Sequence, residues 1–390
     1  MRSKIENRKS APARRAGKIK VAVIFGGRSA EHEVSLVSAS SIIAALDKEK
    51  YEIIEICITK EGKWLCGDGL LERIKNKKNH YEEGGSFISP DPFFNYPSLV
   101  DGPPRPFTKD DLDVIFPVLH GTFGEDGTIQ GLFEFSGIPY VGAGVLGSAV
   151  GMDKVITKQL CENVGIPVAP YIWFFENEFR NSSQKIINQI EKKLGYPLFV
   201  KPANSGSSVG ISKAKNRKSL IKSIKLALNY DRKILIEKSI ENAREIEISV
   251  LGNDDPEVSV PGEIISSNEF YDYDAKYIDG KSEAIIPAKL ANPTIKKVQE
   301  YALLGFRSID CAGMARVDFL VTKKTNKIYF NEINTIPGFT SISMYPKLWE
   351  ASGLRYPRLL DKLIHLAIEK KKQSIRKGKN FTPKNEWYRN

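Results

Sequence analysis

The chain has 390 residues, 41% of them hydrophobic and 27% charged, which is an ordinary composition for a globular protein of two to three domains. Its net charge of +11 arises at the termini, because residues 1–20 and residues 370–390 each contribute +7 and the rest of the chain sums to −3. Nucleic acid is therefore excluded as the principal partner, since a nucleic-acid-binding protein would carry a basic face on its folded body.

Cysteine usage and the N-terminal residues bear on the cellular compartment. Cys57, Cys66, Cys161 and Cys311 lie far apart with no CxxC pair, which argues against a disulfide framework or a zinc site and fits a reducing compartment. The basic N-terminus lacks the apolar stretch of a signal peptide, and no run reaches the roughly 18 apolar residues of a membrane span. We therefore predict a cytoplasmic protein with no membrane partner.

The first predicted domain, residues 19–145, follows a basic tail at residues 1–18 that is predicted to be disordered. A β-branched run at residues 19–25 ends in two glycines and is followed by a helical pattern. Strand, glycine turn and helix in this order begin an open, Rossmann-like parallel sheet. Residues 67–108, rich in Gly, Pro, Asn and Ser, are predicted to form an irregular insertion. Further strands are predicted at residues 51–59, 113–119 and 138–141.

A second and a third domain are predicted beyond this sheet. The second, residues 146–240, combines an initial helix, a lysine-rich amphipathic helix at residues 181–194 and several strands, and is a small α+β domain. The third, residues 241–370, opens with an alternating strand, ends with an amphipathic helix and precedes a basic tail at residues 371–390. The strands of the second domain are predicted at residues 170–175, 197–201 and 233–238. The predicted fold class is therefore α/β and α+β.

A candidate phosphate site lies in the second domain. An apolar run ends in Lys201, and the loop Gly206-Ser-Ser-Val-Gly210 follows a few residues later. Backbone N–H groups of such loops bind anionic oxygens, and a nearby lysine adds a point charge. The order of residues in a Walker loop is absent. The pattern predicts a phosphate-binding loop of another kind.

A candidate metal site lies near the end of the third domain. The segments Arg316-Val-Asp318 and Asn331-Glu332-Ile-Asn334 could form two antiparallel strands that direct two carboxylates and an amide oxygen at one point. Hard oxygen ligands suit Mg²⁺, which is usually bound by one or two carboxylates together with substrate phosphates. With the phosphate loop, these residues predict a magnesium–nucleotide site.

Four segments, in this order, resemble the D-alanine:D-alanine ligases of the ATP-grasp superfamily. They are Phe25-Gly-Gly-Arg-Ser-Ala-Glu-His-Glu-Val-Ser-Leu36, Leu119-His-Gly-Thr-Phe-Gly-Glu-Asp-Gly-Thr128, Gly206-Ser-Ser-Val-Gly210 and Asn331-Glu-Ile-Asn-Thr-Ile-Pro-Gly-Phe-Thr-Ser-Ile-Ser343. The resemblance covers residues 19–370 and implies an ATP-grasp fold with an N-terminal Rossmann-like domain. It also implies an enzyme of peptidoglycan synthesis: ATP phosphorylates one D-alanine, and the amine of a second attacks the acyl phosphate.

The resemblance implies a set of residues for ATP and metal. Lys154 and Lys201 match lysines that hold phosphates, and Glu237 and Glu245 match acidic residues that bind adenine and ribose. The implied ATP-binding residues are Lys154, Lys201, Ser208, Glu237, Glu245 and Lys276. The implied ligands of two Mg²⁺ ions, with Mn²⁺ as an alternative, are Asp318, Glu332 and Asn334.

Further residues are implied for the amino-acid substrates and the chemistry. Arg316 and the backbone N–H of Gly338 match donors that stabilise the acyl phosphate and the tetrahedral oxyanion. A structural salt bridge between Arg316 and Asp318 is the alternative, and both roles can hold at once. Ser343 and Met344 match positions that contact the second D-alanine.

The ammonium of the first D-alanine is implied to bind Glu31, with Ser207 and Tyr277 as hydrogen-bonded catalytic partners and His120 nearby. Glu31 at a helix start could instead complement the helix dipole, by about 0.3–1 kcal/mol. The polar, aromatic residues 270–277 resemble the mobile family loop that closes over ATP, and closure would exclude water from the acyl phosphate.

Alternative functions are left open. Close relatives make D-alanyl-D-lactate or D-alanyl-D-serine, and other ATP-grasp carboxylate–amine ligases share the lysine and metal pattern. Lactate ligases carry a histidine where this chain has the Lys276-Tyr277 pair, so Tyr277 favours the dipeptide, whereas the pocket around Met344 leaves D-serine open. Family members are usually homodimers, which we expect here.

Overall fold

The computed structural model describes residues 17–76, 86–87, 112–265 and 283–376. Residues 1–16 and 377–390 of the predicted tails, much of the predicted insertion and the predicted loop at residues 270–277 lie outside these described residues. Residues 371–376, predicted to belong to the basic tail, instead continue the last helix. The described strands form three sheets, against which ten described helices pack.

The first sheet has the predicted parallel centre with an antiparallel edge. Its strands are β1 (Ile19–Gly26), β2 (Tyr51–Ile58), β3 (Trp64–Cys66), β4 (Ser86–Phe87) and β5 (Val114–Val118), in the order β4-β3-β2-β1-β5. Strand β1 pairs in parallel with β2 and β5. Its residues from Val21 onward are buried, as expected for a central strand covered on both faces. The accompanying helices are α1 (His32–Ala45), α2 (Leu70–Asn76) and α3 (Thr128–Ser136).

The sequence prediction misjudged two parts of this region. Residues 67–108 were expected to be irregular, but they contain α2, which buries Leu70, Leu71 and Ile74. Its apolar positions are too few for a periodic signal, because the helix has only seven residues. The strand expected at residues 138–141 is a single bridge between Tyr140 and Ile115.

The second sheet is antiparallel and carries the predicted strands. These are β6 (Tyr171–Phe175), β7 (Leu198–Pro202), β8 (Ser212–Ala214) and β9 (Lys233–Lys238), in the order β6-β9-β7-β8. Helices α4 (Val145–Met152) and α5 (Lys154–Asn163) precede this sheet in the chain and pack mainly on the third sheet, described below, whereas α6 (Glu176–Lys193) and α7 (Arg217–Ala227) pack on this one. The one helix expected from residue 146 is two, because Asp153 leaves helical geometry and its carboxylate caps α5 by accepting from Val155 N and Ile156 N.

The third sheet is antiparallel throughout. Its strands are β10 (Ala243–Gly252), β11 (Glu257–Val258), β12 (Gly262–Ile265), β13 (Glu283–Ile285), β14 (Gly313–Thr322) and β15 (Ile328–Asn334). Five of them run in the order β13-β12-β10-β14-β15, and β11 pairs with β10. The remaining helices are α8 (Asn292–Ser308), α9 (Met344–Ala351) and α10 (Tyr356–Arg376).

Helix α10 joins the third part of the chain to the first. Its buried residues Leu359, Leu360 and Leu363 belong to the same apolar core as Val21 and Phe116 of the first sheet. This core fixes the first sheet against β14 and the loop after β15, where the candidate site lies. No helix in the described part of the chain is long and apolar enough to cross a membrane.

Candidate active site

Strands β14 and β15 bring the predicted acidic residues together. Asp318 lies directly opposite Glu332, and Arg316 lies opposite Asn334. Because residues two apart on a strand point to the same face, all four side chains share one face of this ladder. The convergence predicted from the sequence is therefore present, while the roles of these residues stay predictions.

The guanidinium of Arg316 is held by carboxylates. Its Nε and Nη2 lie 2.8 and 2.6 Å from the two carboxylate oxygens of Asp318, and Nε also lies 3.0 Å from Glu247 Oε2 on the neighbouring strand β10. Burial opposes the charge on Arg316, but Asp318 and Glu247 outweigh it and raise the pKa of the guanidinium. The salt bridge considered as an alternative role is thus observed, and it orients the side chain toward the cavities described below.

The Gly/Ser-rich loop after β7 has an unusual backbone. Ser207 and Ser208 have φ values of 45° and 60°, in the left-handed region that few non-glycine residues adopt. The hydroxyl of Ser207 donates a hydrogen bond to the carboxylate of Glu31. A Cβ on Gly206 would lie 3.0 Å from the same carboxylate, so glycine permits the close approach. The loop is thus held against the start of α1.

Glu31 immediately precedes α1, yet its side chain makes no capping hydrogen bond to the helix. The residue is only 8% exposed, and its carboxylate faces Ser207 and the backbone of Gly121. The hydrogen bond to Ser207 takes the place of a cap, while the charge of Glu31 still lies at the N-terminus of α1, where it can complement the helix dipole.

A second carboxylate, that of half-buried Glu125, lies close to Glu31. It accepts hydrogen bonds from the backbone N–H groups of Gly121, at 2.7 Å, and Ile336, at 3.3 Å. Burial and then the negative charge of Glu31 raise the pKa of Glu125 to about 8. Burial lowers the pKa of neighbouring His120, whose Nδ1 lies 3.1 Å from the carbonyl of Ile336 and donates to it. The imidazole of His120 is therefore neutral near pH 7.

These groups line a cavity of about 340 Å³, which we call the first cavity. Strands of the third sheet line it together with loops and helix ends from the first two parts of the chain. Its lining includes Glu31, His120, Glu125, Lys154, Ser207, Gly338, Ser343 and Met344. Its charged lining residues are four glutamates, Lys154, Arg316 and Lys347, so it suits a small ligand that carries both a positive and a negative charge.

A second cavity, of about 100 Å³, lies between the second and third sheets. Phe199, Phe319 and Phe330 are among its apolar lining residues, and Lys158, Lys201, Glu237 and Glu245 add charged groups. Ser208, Ile211, Glu247, Arg316 and Glu332 line both cavities. Arg316 and Glu332 therefore stand where the two cavities adjoin, and a group transferred between them would pass these side chains.

The two predicted phosphate lysines lie in different cavities. Lys154 lines the first cavity and donates from Nζ to the carbonyl of Ser205 at 2.6 Å. Burial lowers the pKa of Lys154, against the attraction of Glu332. Lys201 lines the second cavity, 2.5 Å from Glu237 Oε2 and 3.3 Å from Asn331 Oδ1. Burial opposes its charge, but Glu237 outweighs this and raises the pKa of Lys201.

The predicted metal ligands fit an ion that a substrate helps to hold. Within the described residues, no group of three His, Cys, Asp or Glu side chains could hold a metal alone. Asp318 and Glu332 supply two carboxylates, and Asn334, whose Nδ2 donates to Asp318 Oδ2 at 3.2 Å, adds an amide oxygen. Two carboxylates completed by nucleotide phosphates are a usual site for Mg²⁺, which keeps few protein ligands. The donor set therefore fits Mg²⁺ bound together with a nucleotide.

The remaining residues predicted to contact the second D-alanine and the oxyanion lie at the start of α9 and in the loop before it. Ser343 precedes α9, and its hydroxyl lies 2.8 Å from that of Thr340. A Cβ on Gly338 would lie 2.8 Å from Ser343 Oγ, so glycine leaves room for this hydroxyl. Met344 is buried beside the first cavity. The predictions for Lys276 and Tyr277 concern residues outside those the structure describes.

Sequence reasoning missed several charged residues of the site that are buried or half-buried. Glu125 lies within the quoted segment 119–128, and Glu247 lies in the alternating strand β10, where its two-residue spacing from Glu245 places both on one face. Lys158 follows Lys154 by four residues, so the two share a face of α5. These spacings were visible in the sequence, but burial of the charges was not, because it depends on the packing of distant segments.

Comparisons with known proteins agree with this arrangement. Residues 20–143 match the model of the D-ala D-ala ligase N-terminus, and residues 160–365 match that of the D-ala D-ala ligase C-terminus. The D-alanine–D-alanine ligase of Caldicellulosiruptor bescii is 56% identical over 356 residues, covering 91% of this chain and 97% of the relative. That of Natranaerobius thermophilus is 51% identical, covering 94% of this chain and 99% of the relative.

Solved structures show the same fold. The VanG D-Ala:D-Ser ligase from Enterococcus faecalis has a TM-score of 0.77 at 38% identity, covering 90% of this chain and all of the other. The D-alanine–D-alanine ligase from Coxiella burnetii has a TM-score of 0.76 at 38% identity, covering 92% and 98%. The predicted ATP-grasp fold is confirmed. Sequence, fold and site geometry agree that the chain belongs to the D-alanine–D-alanine ligase family.

Proposed function

We propose that this protein joins two D-alanine molecules into D-alanyl-D-alanine for peptidoglycan synthesis, converting ATP to ADP and phosphate. The curated ligases at 51–56% identity over more than nine-tenths of the chain support this substrate choice. The observation that carries the proposal is the meeting of the two cavities at Arg316 and Glu332. A nucleotide in one cavity and an amino acid in the other would bring the phosphoryl donor and acceptor together.

The second cavity would hold the nucleotide. Its aromatic walls suit a purine base, and Glu245 at its edge could accept hydrogen bonds from ribose hydroxyls. The phosphates would extend toward Ser208 of the left-handed loop and Lys154, which supply N–H donors and positive charge. Mg²⁺ held by Asp318, Glu332 and Asn334 would neutralise charge on the phosphates.

The first cavity would hold the first D-alanine. Its ammonium would pair with Glu31, whose carboxylate Ser207 already orients, and neutral His120 would lie beside it without repelling it. Its carboxylate would then face Arg316, so that one carboxylate oxygen attacks the γ-phosphorus of ATP and ADP leaves. Positioning and charge neutralisation carry such a transfer, because both reacting groups are anions.

The second D-alanine would complete the reaction. Ser343 would bind its carboxylate and Met344 would contact its side chain, directing the deprotonated amine at the carbonyl carbon of D-alanyl phosphate. The resulting oxyanion would be stabilised by Arg316 and the backbone N–H of Gly338. Collapse of this tetrahedral intermediate breaks the bond to phosphate and leaves the peptide bond.

Two further proposals concern residues and contacts that the described structure leaves untested. By the family resemblance, Tyr277 would extend the Glu31–Ser207 hydrogen bonds, and Lys276 would contact ATP as the loop at residues 270–277 closes over it. The protein would also form a homodimer, which light scattering on the purified protein tests directly.

The function is tested by measuring phosphate release from ATP and Mg²⁺ with D-alanine, D-lactate or D-serine as second substrate, with the product identified by mass. We expect D-alanyl-D-alanine from D-alanine alone, and excess D-serine or D-lactate should not divert the product. The exposed Arg180→Gln variant serves as a control that keeps wild-type activity, since Arg180 lines neither cavity. Failure to form the dipeptide with every D-amino acid would contradict the proposal.

A further inference from the structure

Lys158 is a buried lysine to which the proposed mechanism gives no task. Its side chain is 1% exposed, and its Nζ lies 2.7 Å from Glu237 Oε1. The same ammonium donates to the backbone carbonyls of Asn331, at 3.0 Å, and Phe330, at 3.3 Å. Three acceptors match the three N–H donors of a lysine, so the whole ammonium group is committed to protein contacts.

Glu237 is thereby held between two lysines. Lys158 contacts one carboxylate oxygen, and Lys201 contacts the other at 2.5 Å. Burial opposes the charge of Glu237, but the two ammonium groups outweigh it and lower the pKa of Glu237 to about 2. An ionised carboxylate accepts hydrogen bonds and cannot donate one.

This acceptor lies in the cavity where the nucleotide base would bind. Glu237, Lys158 and Lys201 line the second cavity together with the aromatic rings of Phe199 and Phe330. Apolar walls recognise the flat faces of any purine, whereas a buried polar group distinguishes the edge of one base from that of another. Adenine presents an amino group at its 6-position and guanine presents a carbonyl oxygen there.

We propose that Lys158 is a positioning residue for base selection: it holds Glu237 as a fixed acceptor that favours the 6-amino group of adenine and rejects the 6-oxo group of guanine. The inference rests on the proposed use of ATP. Lys158 acts only through Glu237, because its ammonium is fully used by Glu237 and two backbone carbonyls. Lys201 alone would leave the carboxylate tethered at one oxygen and free to turn away from the base.

The test must separate base recognition from the structural effect of losing the contacts between Lys158 and β15. Losing them would disturb the strand that carries Glu332, and this would lower activity with every nucleotide. The ratio of kcat/KM for ATP to kcat/KM for GTP removes that common loss. Only a change in base recognition moves the ratio.

The experiment compares this ratio in the wild type, Lys158→Met, Lys158→Arg, Glu237→Gln and the double variant Lys158→Met/Glu237→Gln, at saturating D-alanine. Lys158→Met should reduce the preference for ATP by at least about tenfold, as expected for a lost charge-assisted hydrogen bond. Lys158→Arg keeps the charge and should retain most of the preference. In the Glu237→Gln background, Lys158→Met should change the ratio by less than about twofold, because Lys158 acts on the base only through the carboxylate of Glu237.

A matched control removes another largely buried lysine. Lys370 donates to the carbonyl of Gly142 at 3.2 Å and lines neither cavity, so Lys370→Met should leave the ratio unchanged whatever its effect on stability. If Lys158→Met does not fold, Lys158→Gln carries the same prediction, because it keeps donors for the carbonyls but lacks the charge.

An unchanged ratio in Lys158→Met, or an equal change with and without Glu237, would overturn the inference. These outcomes are distinct from failure of the proposed function. In that case the wild type itself would form no dipeptide from ATP and D-alanine.

Discussion

The two cavities differ in how their buried charges are balanced. In the first cavity, Glu31 and Glu125 lie close together, and burial and Glu31 raise the pKa of Glu125 to about 8. In the second, each oxygen of Glu237 has its own lysine, and the pKa of Glu237 falls to about 2 despite burial. Two neighbouring carboxylates suit a ligand with an ammonium group, whereas a carboxylate already paired with two lysines can lie beside an uncharged ring system.

This difference matches the two proposed ligands. The ammonium of D-alanine would supply a positive charge beside Glu31, and a purine base would enter the second cavity without disturbing its ion pairs. Arg316 belongs to both cavities and is itself balanced by Asp318 and Glu247. Four substitutions test this difference. They replace Arg316, the carboxylates of Glu31 and Glu125, and Ser207, whose hydroxyl donates a hydrogen bond to Glu31.

Removing the arginine common to both cavities has the largest expected effect. Arg316→Gln should lower kcat by about 10³-fold, because a charged donor to the acyl phosphate and the oxyanion is lost. Its KM for ATP should change little by comparison, since the base contacts lie elsewhere. Steady-state kinetics measure both constants, and Arg180→Gln is the control. Activity within about threefold of wild type would show that Arg316 is structural only.

Neutralising the first carboxylate should remove the ammonium contact. Glu31→Gln should lower kcat/KM for the first D-alanine by about 10–100-fold, the loss expected for a charge-assisted hydrogen bond. The exposed Glu300→Gln variant, which breaks only a surface pair with Lys297, should match the wild type. An equal loss in the binding of ATP would contradict an effect confined to the first cavity.

The raised pKa of Glu125 predicts a pH-dependent stability. Its folded pKa of about 8 exceeds the ordinary 4.5, so the stability this group contributes is complete below about pH 4.5 and is lost as pH rises through about 8. Relative to Glu125→Gln, the wild type should therefore lose on the order of 2 kcal/mol between pH 5 and pH 8.5. Denaturant unfolding of both proteins across this range measures the difference. If the free energy of unfolding changed with pH equally in both proteins, the raised pKa of Glu125 would be contradicted.

The smallest expected effect concerns the hydrogen bond from Ser207 to Glu31. Ser207→Ala should raise the KM for the first D-alanine by about two- to tenfold, since a typical hydrogen bond contributes about 0.5–1.5 kcal/mol. Ser41→Ala, which removes an exposed hydroxyl on α1, is the control. A change in the ATP/GTP preference of Ser207→Ala would argue against separate tasks for the two cavities.

The amino-acid sequence predicted the strands and the strand-pair site well, for physical reasons. Residues 19–25 are dense in β-branched residues and residues 245–251 alternate between polar and apolar, and such local patterns determine strand and face. Asp318 and Glu332 lie opposite each other because a short turn joins their two neighbouring strands. The short helix α2 and the break at Asp153 escaped prediction because a single turn or cap outweighs a weak periodic signal.

The charge balance of the cavities was not predictable in the same way. Glu31 meets Ser207 across 176 residues, and Lys158 meets Asn331 across 173. No local pattern records such contacts, so sequence reasoning identified Glu237 but not the lysine that fixes it. The roles of Glu31 and Ser207 came from the family resemblance, whereas phosphate binding by Lys201 was already predicted from the apolar run and the Gly/Ser-rich loop around it.

The most direct test of the account follows an oxygen atom from one cavity to the other. D-alanine labelled with ¹⁸O in its carboxylate is incubated with ATP, Mg²⁺ and the enzyme, and the released phosphate is analysed by mass. Attack of the D-alanine carboxylate on ATP predicts one ¹⁸O atom in the phosphate for each dipeptide formed. Phosphate without ¹⁸O would show that ATP is cleaved by water, and would contradict phosphoryl transfer between the two cavities.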